Sequence, residues 1–119
     1  MDKLVERLIV LEENRQTDTL MLIPSENYAS QAVRQAMGSV FANKYAEGYP
    51  GKRYYQGNVA VDQLELLCQQ RAKKLFGVPH VNVQPLSGAP ANLAILKALT
   101  SRGDIQLSQH LYTGGHLSM

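Results

Sequence analysis

The stretch Val81-Asn82-Val83-Gln84-Pro85-Leu86-Ser87-Gly88-Ala89-Pro90 decides the fold class of this chain. Val81 to Val83 is a short β-branched run that fits a strand. From Pro90 to Thr100 the residues are Ala, Leu and Ile nearly all round, so a helix there is expected to be buried rather than amphipathic. Pro90 is acceptable at its first position, where its missing N–H would be unpaired anyway. Ser101-Arg102-Gly103-Asp104 reads as a turn and Ile105-Gln106-Leu107 as a second short strand. Strand, helix, strand at this spacing is a βαβ unit, which predicts an α/β architecture with a parallel sheet. One such unit cannot cover both faces of a sheet, so the chain is expected to be the front part of a larger α/β protein.

Upstream, Val59 to Phe76 predicts a helix, with Val61, Leu64, Leu67 or Cys68, Ala72 and Leu75 at three- and four-residue steps. Asn58 is its candidate N-cap, and Gly77 followed by Pro79 closes it. Before it lies Asn43-Lys44-Tyr45-Ala46-Glu47-Gly48-Tyr49-Pro50-Gly51-Lys52-Arg53-Tyr54-Tyr55-Gln56-Gly57. Three glycines and a proline exclude a regular helix or a central strand there. Phenol rings beside fixed charge on an irregular backbone suit a recognition loop, or else a surface loop covering neighbouring core. Residues 3–14 form an amphipathic helix capped by Asp2, and Asn14 to Thr19 is a polar break. Leu20 to Ile23 is extended ahead of Pro24, Pro24 to Asn27 is a turn, and Ser30 caps a helix carrying Ala32, Val33, Ala36, Met37 and Val40.

With 119 residues the chain has room for one modest domain. Its net charge of +2 does not by itself imply a nucleic-acid or membrane partner. The single cysteine, Cys68, excludes an internal disulfide and a Cys-x-x-Cys site, and its helical spacing suggests an inert core thiol. The first residues alternate charge with apolar side chains, unlike a signal peptide, and no apolar run reaches transmembrane length. A cytoplasmic location is expected.

Two places could carry chemistry. At Ser87-Gly88-Ala89 a strand end meets a helix N-terminus, where free N–H groups and the helix dipole would hold an anion such as a phosphate. The alternative is that Ser87 simply caps its own helix. The pattern is neither a Gly-x-x-x-x-Gly-Lys loop nor a Gly-x-Gly-x-x-Gly fingerprint. The second place is Thr113-Gly114-Gly115-His116-Leu117, past the second strand. Ligands of a parallel sheet bind at that edge, so His116 is expected near Ser87 to Ala89. His80 and His110 read as ordinary surface or strand-end residues. No second histidine or carboxylate falls at ligand spacing to His116, so no metal site is expected.

Leu22-Ile23-Pro24-Ser25-Glu26-Asn27, Asn43 to Tyr55, Asn82 to Pro85 with Ser87-Gly88-Ala89 and Ala91-Asn92, and Gly114 to Leu117 together resemble serine hydroxymethyltransferase, in the family's order and spacing. The resemblance covers essentially the whole chain. It implies the N-terminal part of a pyridoxal-phosphate enzyme of the aspartate-aminotransferase type (fold type I). Residues 1–57 would be a helical arm with an active-site loop, and 58–119 the start of the large cofactor-binding domain. Such an enzyme converts serine and tetrahydrofolate to glycine and 5,10-methylenetetrahydrofolate, as a homodimer or homotetramer. By the same resemblance Ser25 helps hold the substrate carboxylate. Tyr45 reaches the cofactor phosphate from the partner subunit, Glu47 is the proton-transfer carboxylate, and Tyr55 stands beside the substrate. Ser87, Gly88 and Ala89 form the phosphate cradle, His116 stacks on the pyridine, and Leu111, Gly115, His116 and Leu117 contact folate.

The chain departs from the pattern at Pro90, where glutamine is usual, and at Tyr112-Thr113, where Ala-His is usual. The family's cofactor-bearing (Schiff-base) lysine, the aspartate on the pyridine nitrogen and the arginine for the substrate carboxylate lie beyond residue 119. Lys44, Lys52, Lys73, Lys74 and Lys97 do not occupy that lysine's position, so the 119 residues alone are expected to be inactive. A threonine-aldolase-like enzyme would share the cofactor without folate, and the loop around Glu47 argues against it. A non-catalytic module is the other alternative, either an oligomerising piece or one that uses Lys44, Lys52 and Arg53 among tyrosines to bind single-stranded nucleic acid. The low net charge and Glu47 argue against the nucleic-acid form.

Overall fold

The computed structural model describes residues 1–118, which divide into two compact units, Met1–Lys44 and the remainder from Tyr45. In the first unit, α1 spans Lys3–Asp18 and α2 spans Gln31–Met37, followed by a 3₁₀ turn at Val40–Asn43. Asp2 caps α1 by accepting from the Leu4 and Val5 amides, and Ser30 caps α2 by accepting from the Val33 amide. The helix α1 runs through the polar stretch expected to break it. Glu12 accepts from both Arg15 and Gln16, and the Thr17 hydroxyl donates to the Glu13 carbonyl, so these polar residues support one another at helical spacing.

In the second unit, the tyrosine loop contains a hairpin of β1 (Gly48–Tyr49) and β2 (Lys52–Arg53), paired antiparallel with Gly48 opposite Arg53. Pro50 and Gly51 make the turn; Gly51, at φ 75°, sits where a Pro-Gly turn of type II requires positive φ. Helix α3 covers Val59–Phe76 and ends on Gly77 in the left-handed conformation, as expected. Asn58 precedes α3 but makes no capping bond; its amide donates to the Tyr55 carbonyl instead.

Helix α4 spans Gly88–Leu99, two residues earlier than expected. Pro90 is therefore its third residue, still within the turn whose N–H groups lack helical partners. Neither Val81–Val83 nor Ile105–Leu107 forms a strand, and β1–β2 is the only sheet among the described residues. The predicted parallel pairing is thus absent. Three residues per segment offer too few ladder bonds to hold a pair without further strands alongside. The expected burial of α4 is overturned for the same reason. Among the described residues no second layer covers it, and Leu99 is 79% exposed. Cys68 is exposed, not a core thiol. No hydrophobic side chain among the described residues is buried. Helices with one small sheet make this a partial α/β arrangement. Among the described residues no helix is long and apolar enough to cross a membrane.

Candidate functional site

The loop around Glu47 is fixed by Arg53. This guanidinium, 5% exposed, pairs through Nε with Asp62 Oδ1 at 2.8 Å and through Nη2 with Glu65 Oε2 at 2.6 Å. Its Nη1 donates to the carbonyls of Ala46 (2.6 Å) and Gly48 (3.0 Å). The Tyr54 amide donates to the Glu47 carbonyl at 3.2 Å. Three successive carbonyls, those of residues 46, 47 and 48, are therefore held, while the exposed Glu47 carboxylate makes no hydrogen bond or ion pair among the described residues. Asp62 also accepts from the Gly51 amide at the hairpin turn, 2.9 Å. The Arg53 guanidinium, and then that amide, hold the Asp62 carboxyl below the usual carboxylate range. Asp62 and Glu65 stand one turn apart on α3, which clamps the hairpin to that helix. Gly48 allows the clamp: at φ 99° a Cβ there would run into the Lys52 carbonyl oxygen. The rings of Tyr45 and Tyr55 come together, centroids 6.0 Å apart.

The start of α4 presents a different surface. Ser87 is extended and its hydroxyl makes no capping bond, so the alternative that it caps its own helix is not what forms. A Cβ at Gly88 would meet nothing within 4 Å. The N–H groups of Gly88 and Ala89 and the Ser87 hydroxyl are thus open at the positive end of a twelve-residue helix. The chain returns to this helix through residues 109–118. Gly115 donates to the His110 carbonyl at 3.0 Å, and a Cβ on it would collide with the Gln109 carbonyl, so only glycine passes. The Asn92 amide on α4 donates to Ser118 Oγ (2.8 Å), and Ser118 reaches His116 Nδ1 through Oγ (2.7 Å) and its amide (3.1 Å). Because the Ser118 amide donates to Nδ1, the neutral imidazole carries its ring proton on Nε2. Ala89, Leu93, Leu96, His116, Leu117 and Ser118 line an open cavity of about 660 Å³.

The chain matches the serine hydroxymethyltransferase family across residues 1–119. It belongs to that family. The serine hydroxymethyltransferase of Acidothermus cellulolyticus is 55% identical over 117 residues, covering 98% of this chain and 27% of its own length. That of Sorangium cellulosum is 54% identical over 118 residues, covering 99% and 28%. The serine hydroxymethyltransferase 2 of Mesorhizobium japonicum is 52% identical over 118 residues, covering 99% and 27%. The chain therefore spans little more than a quarter of the length of these relatives.

Of the residues that the resemblance to serine hydroxymethyltransferases singled out, the structure groups two sets in the second unit. Tyr45, Glu47 and Tyr55 lie on the clamped loop; Ser87, Gly88, Ala89 and His116 lie on or against α4. Leu111 opens the 3₁₀ turn Leu111–Thr113, capped by His110 Nδ1, which accepts from the Tyr112 amide; His110 is thus a local structural residue. Ser25 belongs to the first unit. It lines a polar cavity of about 550 Å³ with Glu12, Arg15, Tyr28 and Arg34, closed by the Tyr28 hydroxyl donating to the Gln16 carbonyl. In that cavity wall the Arg15 guanidinium, and then the Gln16 amide, lower the Glu12 carboxyl to about 2. No cluster of three metal-binding side chains occurs among the described residues.

Sequence reasoning missed the clamp. Arg53 looked like a free cation of the loop and is neutralised by two carboxylates. The available signal was acidic Asp62 and Glu65 one turn apart on α3, a few residues after the cationic loop, where they can pair with a single guanidinium. Asn92 and Ser118, which orient His116, also escaped notice as a pair because 26 residues separate them.

Proposed function

We propose that this chain supplies the N-terminal part of a pyridoxal-phosphate-dependent serine hydroxymethyltransferase, which interconverts serine plus tetrahydrofolate with glycine plus 5,10-methylenetetrahydrofolate. The observation that supports it most is the open start of α4 with His116 returned to the same helix. The residues fit the cofactor's phosphate, because the unbonded Ser87 hydroxyl and the Gly88 and Ala89 amides are donors with room for close approach. When bound, pyridoxal phosphate supplies an electron sink for breaking the Cα–Cβ bond of serine.

This chain's residues do the rest of their share as follows. Ser87, Gly88 and Ala89 hold the phosphate, and His116, its Nδ1 engaged by Ser118, offers a fixed ring to the pyridine. Tyr45 adds a phosphate contact and Tyr55 a substrate contact in the neighbouring subunit of a homodimer or homotetramer. Glu47 moves the proton at the serine hydroxyl, its backbone fixed and its carboxylate unengaged. Ser25 binds the substrate carboxylate, and Leu111, Gly115, His116 and Leu117 bind folate. Residues 1–57 serve as arm and donated loop in this reading, and 58–119 begin a fold type I cofactor domain in a cytoplasmic enzyme. Segments 81–83 and 105–107 gain strand partners there.

The test is an assay of the full-length protein for glycine formation from serine. Tetrahydrofolate-dependent formation is expected. Cleavage of threonine with no folate-dependent glycine formation from serine overturns the reading in favour of the aldolase type.

A further inference from the structure

Gln84 has a place in this molecule that neither the α4 cradle nor the Arg53 clamp accounts for. It lies in the segment running from Val83 toward Ser87, and its side chain turns back to the tyrosine loop. The amide nitrogen donates to the Gly48 carbonyl at 2.9 Å and to Glu65 Oε1 at 2.9 Å, which uses both of its hydrogens. These bonds cross 36 and 19 residues of sequence. The Gly48 carbonyl already accepts from Arg53 Nη1, so Gln84 fills its second lone pair. Glu65 divides its oxygens in the same way, giving Oε2 to Arg53 and Oε1 to Gln84 and Gln69. The bonded carbonyl belongs to the residue immediately after Glu47.

We propose that Gln84 is a positioning residue for Glu47: its amide locks the Gly48 peptide to Glu65 and so sets the direction in which the Glu47 carboxylate leaves the loop. The role of Glu47 rests on the function proposed above; the anchoring of its backbone does not. Charge alone does not perform this task. Arg53 holds the hairpin to α3, while Gln84 is the only group in the set that ties the hairpin to the segment entering the cradle.

The experiment compares Gln84→Leu and Gln84→Lys in the full-length protein. Leucine is one atom shorter and removes both donors, and it leaves Gly48 and Glu65 each with a remaining partner, so the protein still folds. Lysine restores donors to the same two acceptors. Amide exchange over residues 47–54, measured without cofactor, is expected to rise roughly fivefold or more in Gln84→Leu, as for one net hydrogen bond lost, and to recover in Gln84→Lys. The kcat for serine cleavage is expected to fall about tenfold in Gln84→Leu, with KM for serine and affinity for pyridoxal phosphate within about twofold of the parent. Unchanged exchange, or an unchanged kcat, overturns the proposal. So does a uniform loss of kcat, cofactor affinity and melting temperature, which marks a merely structural residue. If the parent itself lacks the serine reaction while exchange follows the expected order, the proposed function and the catalytic half of this inference fall together, and the anchor remains.

Discussion

Gly48 and Gly51 sit three residues apart around one turn, both at positive φ, and they should not tolerate a methyl group equally. At Gly51, φ is 75° and an added Cβ meets nothing within 4 Å, so Gly51→Ala carries only the left-handed backbone cost of about 1 kcal/mol. At Gly48, φ is 99° and the Cβ would land on the Lys52 carbonyl oxygen, with Arg53 Cα at 3.2 Å behind it. Those are backbone atoms of the paired strand and cannot rotate away. Gly48→Ala must strain the residue, by about 2 kcal/mol, and break the pairing opposite it, by about 1 kcal/mol more. Local opening of the hairpin should rise on the order of a hundredfold in Gly48→Ala and about fivefold in Gly51→Ala. Hydrogen exchange at the Tyr54 amide, which donates to the Glu47 carbonyl, reads this directly. Equal exchange in the two variants would refute the steric argument.

Acid should release the same loop. Asp62 has its pKa lowered in the folded chain, so its contribution is complete above the ordinary carboxylate range and disappears as pH falls through the depressed value. Asp62→Asn, followed by exchange over residues 47–54 against pH, should already be loosened at neutral pH and lose that acid step. At the cradle, Ser87→Ala removes a hydroxyl that caps nothing, so the melting temperature of the full-length protein should hold while affinity for pyridoxal phosphate drops about tenfold. A lower melting temperature with unchanged affinity would make Ser87 a helix cap after all. Borohydride treatment of the 119 residues with pyridoxal phosphate should give no stoichiometric label on one defined lysine, and peptide mapping that finds a single labelled lysine would refute this.

What was legible in the sequence is what a single turn of chain encodes. Asp2 and Ser30 accept bonds from amides two or three residues ahead, and Gly77 ends α3 because its own φ is positive. The limits of α3 followed from apolar spacing and that glycine alone. The candidate site was legible as residue types in order: a loop with Glu47 and tyrosines, a Ser-Gly-Ala helix start, a Gly-Gly-His turn. Local pattern misled where the outcome depends on neighbours. Val81–Val83 and Ile105–Leu107 have strand composition, but a strand exists only through a ladder, and the described residues supply none. The all-apolar face of α4 signals burial, which needs a second layer to occur.

By itself, then, the sequence determined roughly where the helices lie, the ends set by Asp2, Ser30 and Gly77, and the inventory of reactive groups, because those depend on hydrogen bonds within a few residues. Only the tertiary structure decided that Arg53 is a clamp and not a free cation, that Gln84 reaches Gly48 across 36 residues, and that Ser118 sets the tautomer of His116 from a helix-bound position. Those bonds bring together groups on separate segments, 9 residues apart for Arg53 and Asp62, 36 for Gln84 and Gly48, and 26 for Asn92 and Ser118. No periodicity in the sequence records those pairings.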